Sequence, residues 1–154
     1  MIKIDNSTLD ALTAEAKASP RKRKNKNYHP ELSDTLQRML NAMEPGTYVQ
    51  PHKHEAPDKR EIFVILRGSA LVIEFDDNGN IVEKTTLSLL HGVLAVEIPA
   101  RTWHSVISLE PGTVVYEVKD GPYLARDDKN FAPWAPKEGD ADCKLYLEKL
   151  LTKE

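Results

Sequence analysis

Pro51-His52-Lys53-His54, followed by Glu61-Ile62-Phe63-Val64-Ile65-Leu66-Arg67-Gly68, decides how this chain folds. In an extended strand, residues two apart share a face, so the imidazoles of His52 and His54 reach one point. Glu61 opens a continuous apolar run, and a short connection to a partner strand brings its carboxylate to that point. Glu55 adjoins His54 and faces the opposite way on a strand, which leaves Glu61 as the better ligand. Beyond Gly68, Leu71, Ile73 and Phe75 alternate with Ala70, Val72 and Glu74. Asp76-Asp77-Asn78-Gly79-Asn80 reads as a hairpin turn, because Asn-Gly tolerates the positive φ such turns need. Ile81 to Leu89 returns as the partner strand. Val93 to Ile98 is a further apolar run closed by Pro99, and Val106 to Leu109, Pro111-Gly112 and Thr113 to Val118 form another hairpin. Short strands at this spacing, with no helical pattern between them, predict an all-β antiparallel sandwich or barrel with its core at about residues 37–119.

The flanks read differently. Asn6 or Ser7 can cap a short helix running to about Lys17, with Leu9, Leu12 and Ala16 on one side. A second helix is expected after Asp142, with Leu147, Leu150 and Leu151 apolar. Between Gly121 and Gly139, Tyr123, Phe131 and Trp134 punctuate a Pro- and Gly-containing stretch that should pack back on the barrel. Arg21-Lys22-Arg23-Lys24-Asn25-Lys26 carries five basic residues in six. The net charge is −3, so setting aside this +5 leaves −8 elsewhere. The basic stretch reads either as a solvated, partly flexible arm or as an anion-binding lip.

At 154 residues the chain suits one domain, 1–154, with 40% hydrophobic and 29% charged residues. A chain of this size needs neither disulfide nor metal to fold. The small net charge argues against a general affinity for nucleic acid or acidic membranes. One cysteine, Cys143, excludes an intramolecular disulfide. Met1 to Ala18 has no apolar core of a secretory signal, and no apolar run approaches the roughly 20 residues that span a bilayer. A cytoplasmic protein is expected.

The histidines are His29, His52, His54, His91 and His104. His104, behind Trp103, sits early in a later strand and completes a set of three imidazoles and one carboxylate with His52, His54 and Glu61. That donor set suits one divalent ion such as Zn, Fe, Mn or Ni and leaves open positions for substrate or water. His29 and His91 fall outside the pattern, as does Cys143.

Gly46, His52-x-His54, Glu61 and Gly68 resemble the first cupin motif, and Gly92, Pro99 and His104 the second. Six residues separate His54 from Glu61 where the motif has three or four. Arg101 stands at the motif's glycine and Ser108 at its Asn. Arg21-Lys22-Arg23-Lys24-Asn25-Lys26-Asn27-Tyr28-His29 and Gln37-Arg38-Met39-Leu40-Asn41-Ala42 are similar to the WbuC family of cupin-fold metalloproteins. So are Pro45 to His54, Glu97-Ile98-Pro99 with Trp103-His104, Glu117-Val118-Lys119 with Gly121-Pro122-Tyr123, and Trp134-Ala135-Pro136 with Glu138-Gly139. The resemblance covers about residues 20 to 146. It implies a cupin jelly-roll β-barrel with one metal, often encoded among bacterial surface-polysaccharide genes.

Further polar candidates surround the motifs. Glu117 and Lys119 share a face of a later strand and, with Tyr48, are candidate catalytic groups. Arg21, Arg23, Arg38, Asn41 and Arg101 are candidate ligand-binding groups, since guanidinium matches phosphate or carboxylate bidentately. Three neutral imidazoles and one carboxylate leave a bound divalent cation with a net charge of about +1, which favours an anionic, oxygen-rich and sugar-related ligand. The leading expectation is an isomerase or epimerase on a carbohydrate-related molecule, in which the metal polarises an oxygen and a Glu or Lys moves a proton. A non-catalytic binding or sensing module and an iron-dependent dioxygenase are the alternatives. Exposed sheet edges favour a homodimer.

Overall fold

The computed structural model describes residues 1–124 and 129–152. Helix α1 (Asn6–Ala18) is followed by strands β1 (Arg23–Asn27), β2 (Leu36–Met43), β3 (His52–Lys53), β4 (Glu61–Arg67), β5 (Ser69–Phe75) and β6 (Ile81–Ser88). Then come β7 (Ala95–Ile98), β8 (Trp103–Ser108), β9 (Thr113–Asp120), β10 (Asn130–Phe131) and helix α2 (Cys143–Leu151). The strands form two five-stranded antiparallel sheets, ordered β1-β2-β9-β4-β7 and β10-β3-β8-β5-β6. They face each other as a jelly-roll barrel.

Burial explains the sequence pattern. Between the sheets, Met43, Phe63, Ile65, Ala70, Val72, Val106 and Val115 pack together. The outer face of the second sheet is also covered: Leu71, Ile73 and Phe75 of β5 meet Ala132, Ala135, Leu147 and Leu150. β5 is therefore buried on both sides, which is why its sequence is nearly all apolar. The aromatic stretch before α2 does fold back, with Trp134 against Phe75 and Trp103; residues 125–128 of that stretch lie outside the described ones. Leu151 is an exception to the apolar face of α2, being 42% exposed.

Helix α1 covers the outer face of the first sheet with Leu9, Leu12 and Ala16 against Leu40, Ala42 and Val114. Each buried leucine contributes about 2 kcal/mol by leaving water, enough to dock so short a helix. Its cap is Asp5, one residue before the expected position, whose carboxylate accepts from Thr8 N–H at 2.9 Å.

The basic stretch is not a flexible arm. Arg23 to Asn27 pairs along its whole length with β2, from Arg23 opposite Met43 to Asn27 opposite Met39. Beside it, Arg21 and Arg23 clasp Glu138 at 2.6 and 2.7 Å. Ladder hydrogen bonds outweigh the weak strand preference of Lys and Asn.

Candidate metal centre and the cavity above it

The two sheets each contribute to one cluster. His52 on β3 lies directly opposite His104 on β8 in the second sheet. Glu61 begins β4 in the first sheet, opposite Lys119 of β9. His54 follows β3 and is pinned by Arg101 N–H, which donates to its carbonyl at 3.0 Å. One ligand atom from each of His52, His54, Glu61 and His104 lies within 4.8 Å of all the others. All four residues are buried, none more than 3% exposed. The ring centroids are 5.2 Å apart for His52 and His54 and 4.4 Å for His52 and His104.

The cluster fits a metal ion on two further observations. His52 Nδ1 lies 3.0 Å from Gln50 O and His104 Nδ1 lies 2.8 Å from Thr102 O. A carbonyl oxygen only accepts, so each Nδ1 carries the proton and each Nε2 presents a lone pair to the cluster. Burial also holds His52 well below the ordinary imidazole range, keeping it neutral. Second, Glu61 Oε1 and His104 Nε2 touch, yet neither makes a hydrogen bond of acceptable geometry. Buried polar atoms normally have partners, and close contact without directed bonding is what donors aimed at a shared point produce. Burial acts to raise the Glu61 carboxyl, but the His104 and His54 imidazoles in their charged form outweigh it and lower the group well below its usual range.

The longer segment between His54 and Glu61 does not separate the two ligands. Residues 55–60 loop outward except for Lys59, which is buried and donates to Pro122 O at 2.5 Å; on the outside Arg60 meets Asp120 at 2.9 Å and Arg101 meets Asp58 at 2.8 Å. His54 Nε2 still reaches within 3.5 Å of Glu61 Oε2. Arg101 sits at φ +69°, the left-handed conformation that explains why glycine is usual there.

The cluster opens into a cavity of about 690 Å³, lined by His52 and Glu61 together with Asn41, Glu117 and Lys119. Register makes its floor a grid. Lys119 stands between Glu61 and Gln37, and Glu117 stands between Phe63 and Met39. Asn41 Nδ2 donates to Glu117 Oε2 at 2.6 Å. Burial first, and the nearby Glu61 charge second, raise the Glu117 carboxyl above its ordinary range.

Not every candidate reaches this cavity. Arg21 and Arg23 line its rim, but both are held by Glu138, and Arg23 also donates to Tyr48 O at 2.7 Å. Arg38 is three residues from Asn41 and so lies on the opposite face of β2, where it donates to Tyr28 O at 3.1 Å. Arg101 points outward to Asp58 and is 68% exposed. Tyr48 fills the core instead: it packs on Tyr146, its hydroxyl donates to Pro136 O at 2.8 Å, and burial pushes its phenol upward. Conversely, Asn25, Asn27 and His29 line the cavity without having been singled out. Their period of two, continuing from Arg23, was the available signal.

Solved structures share this architecture. KdgF from a Halomonas species is 23% identical with a TM-score of 0.52, over 68% of this chain and 82% of that one. The capsular polysaccharide assembling protein CapF of Staphylococcus aureus is 19% identical with a TM-score of 0.59, over 70% of this chain and 28% of that one. A variant of Bacillus subtilis oxalate decarboxylase is 19% identical with a TM-score of 0.53, over 71% of this chain and 27% of that one. The chain thus spans under a third of the latter two proteins. Together with the two antiparallel sheets, these likenesses make the fold that of a cupin, and the buried group of three histidines and one glutamate could hold a metal ion. The sequence matches the family described as Domain of unknown function (DUF6016) over residues 4–87, and the chain belongs to that family. No curated protein matches it. Among the described residues, no helix is long and apolar enough to cross a membrane.

Proposed function

We propose that this chain is a metal-dependent cupin that binds an anionic, carbohydrate-related molecule and moves a proton on it, in the manner of an isomerase or epimerase. The observation that carries this reading is that the buried donor set, His52, His54, Glu61 and His104, meets through His52 and Glu61 the same cavity that Glu117 and Lys119 line. A divalent ion held by those four side chains would supply Lewis-acid polarisation of a ligand oxygen. Glu117 is the proton-transfer group. Its raised ionisation keeps more of the acid form near neutral pH, and Asn41 holds one carboxyl oxygen while the other serves the ligand. Lys119 and Lys129 give the walls positive charge, which favours an anion.

The resemblance to the WbuC family supports a role in bacterial surface-polysaccharide biosynthesis, and the name of CapF is in keeping with it. In this reading the chain acts as a single domain and a homodimer in the cytoplasm, with no nucleic acid or membrane partner. The test is incubation of metal-loaded protein in deuterium oxide with a panel of nucleotide sugars and sugar phosphates. Carbon-bound deuterium should appear in at least one compound and be lost with Glu117→Gln. Tight binding of a panel member with no exchange in any of them would contradict the enzymatic reading and leave a binding module.

A further inference from the structure

We infer that His29 is a ligand-binding residue of the cavity, presenting a fixed N–H donor to an acceptor oxygen at the end of the cavity away from the metal cluster. This rests on the reading that the cavity takes a small-molecule ligand.

Tyr28 N–H donates to Arg38 O at 2.8 Å, which carries the β1–β2 ladder one residue past Asn27. The return bond of such a pair would run from Arg38 N–H to Tyr28 O. Tyr28 O is instead taken by the Arg38 guanidinium, and Arg38 N–H lies 3.1 Å from His29 Nδ1. A strand N–H in this position needs an acceptor. Arg38 O, also 3.1 Å from Nδ1, has its donor in Tyr28 N–H, whereas Arg38 N–H has no acceptor besides Nδ1 among the described residues. Nδ1 is therefore the acceptor, and the proton of the neutral ring sits on Nε2. The imidazole replaces a missing ladder bond, and in doing so its tautomer is set.

The other nitrogen has a different environment. His29 is only 7% exposed, yet it lines the cavity, and the ring hydrogen bonds it makes among the described residues all run through Nδ1. The extended ladder places His29 level with Gln37, which faces Lys119, which faces Glu61. Three inter-strand steps separate His29 from the metal cluster, roughly 14 Å of backbone. A ligand touching both ends is longer than one sugar ring, and an oxygen-rich one offers an acceptor to Nε2–H. Asn25 and Asn27, hydrogen-bonded to each other at 2.8 Å, line the cavity between Arg23 and His29 and add polar groups suited to hydroxyls.

Two substitutions separate the structural and binding roles. In His29→Asn the side-chain oxygen occupies the place of Nδ1, keeps the cap on Arg38 N–H and removes the Nε2 donor. In His29→Gln the amide reaches the place of Nε2 and restores a donor. Binding of UDP-glucose and glucose 1-phosphate to the zinc-loaded chain is followed by calorimetry, with zinc content measured in parallel. His29→Asn should lower the affinity of at least one probe about tenfold at unchanged zinc content, and His29→Gln should recover part of it. Equal affinity in the parent and His29→Asn would overturn the role of His29 alone. Failure of both probes to bind the parent would overturn the ligand reading and this inference with it. Nitrogen-15 NMR of the zinc-loaded parent checks the tautomer without any substitution: a proton on Nε2 is expected, and one on Nδ1 would refute the argument.

Discussion

Stripping the metal should lower the melting temperature steeply without abolishing the fold. The four donors form no part of the three apolar clusters, so the barrel keeps its core when the ion leaves. What is lost is the stabilisation from binding to the folded state only. At a free metal concentration a thousandfold above Kd, that amounts to about 4 kcal/mol. At about 2.1 cal/mol/K per residue, a chain of 154 residues has an unfolding entropy of roughly 0.32 kcal/mol/K, so the midpoint should move by roughly 13 °C. Differential scanning calorimetry of chelated and metal-saturated protein measures the shift, and far-ultraviolet circular dichroism reports whether the chelated protein keeps its strands. His104→Ala should melt near the chelated parent and gain little from added metal. A shift under about 2 °C on saturation, or an unfolded chelated chain, would refute the separation of core from site.

Three other substitutions follow from the same geometry. Glu61→Gln should weaken metal binding by at least about tenfold in a competition titration, whereas Glu55→Gln, whose carboxylate pairs with Lys53 at 3.0 Å, should leave it unchanged. Asn41→Ala removes a donor to the Glu117 carboxylate, so carbon-13 NMR should find that carboxyl ionising at still higher pH than in the parent. Glu138→Gln should cost about 1 kcal/mol or less at neutral pH, because the pair with Arg21 is largely exposed. Arg21 and Arg23 overcome burial and hold Glu138 below its ordinary 4.5, so its contribution is present above that value and is lost as pH falls through the folded-state ionisation. Urea melts of parent and variant should accordingly converge in acid.

The barrel was legible because its strands obey simple periods. β5 is apolar on both faces since α2 covers the outside, and Asn78-Gly79 turns it into β6. The donor set was legible because His-x-His in extended chain turns two imidazoles to one side, although β3 itself ends at Lys53 and His54 just follows it. β1 was not legible as a strand: Arg, Lys and Asn carry no apolar signal, and one of its faces lines a polar cavity. Arg38 and Asn41 could have been separated by parity alone, since three residues apart on a strand means opposite faces. Arg101 could not, because its partner Asp58 lies on a loop whose path depends on the two or three extra residues beyond the usual motif length. Glu138 was also hidden, more than a hundred residues from the arginines it holds.

His52, His54, Glu61 and His104 should together hold one divalent ion. Elemental analysis of protein purified without chelators, followed by anomalous diffraction at the absorption edge of the metal found, tests it most directly. One ion per chain is expected, with the three imidazole Nε2 atoms and a Glu61 oxygen at about 2.0–2.2 Å if the metal is zinc. Protein that takes up no divalent metal, or an anomalous peak away from these four side chains, would contradict it.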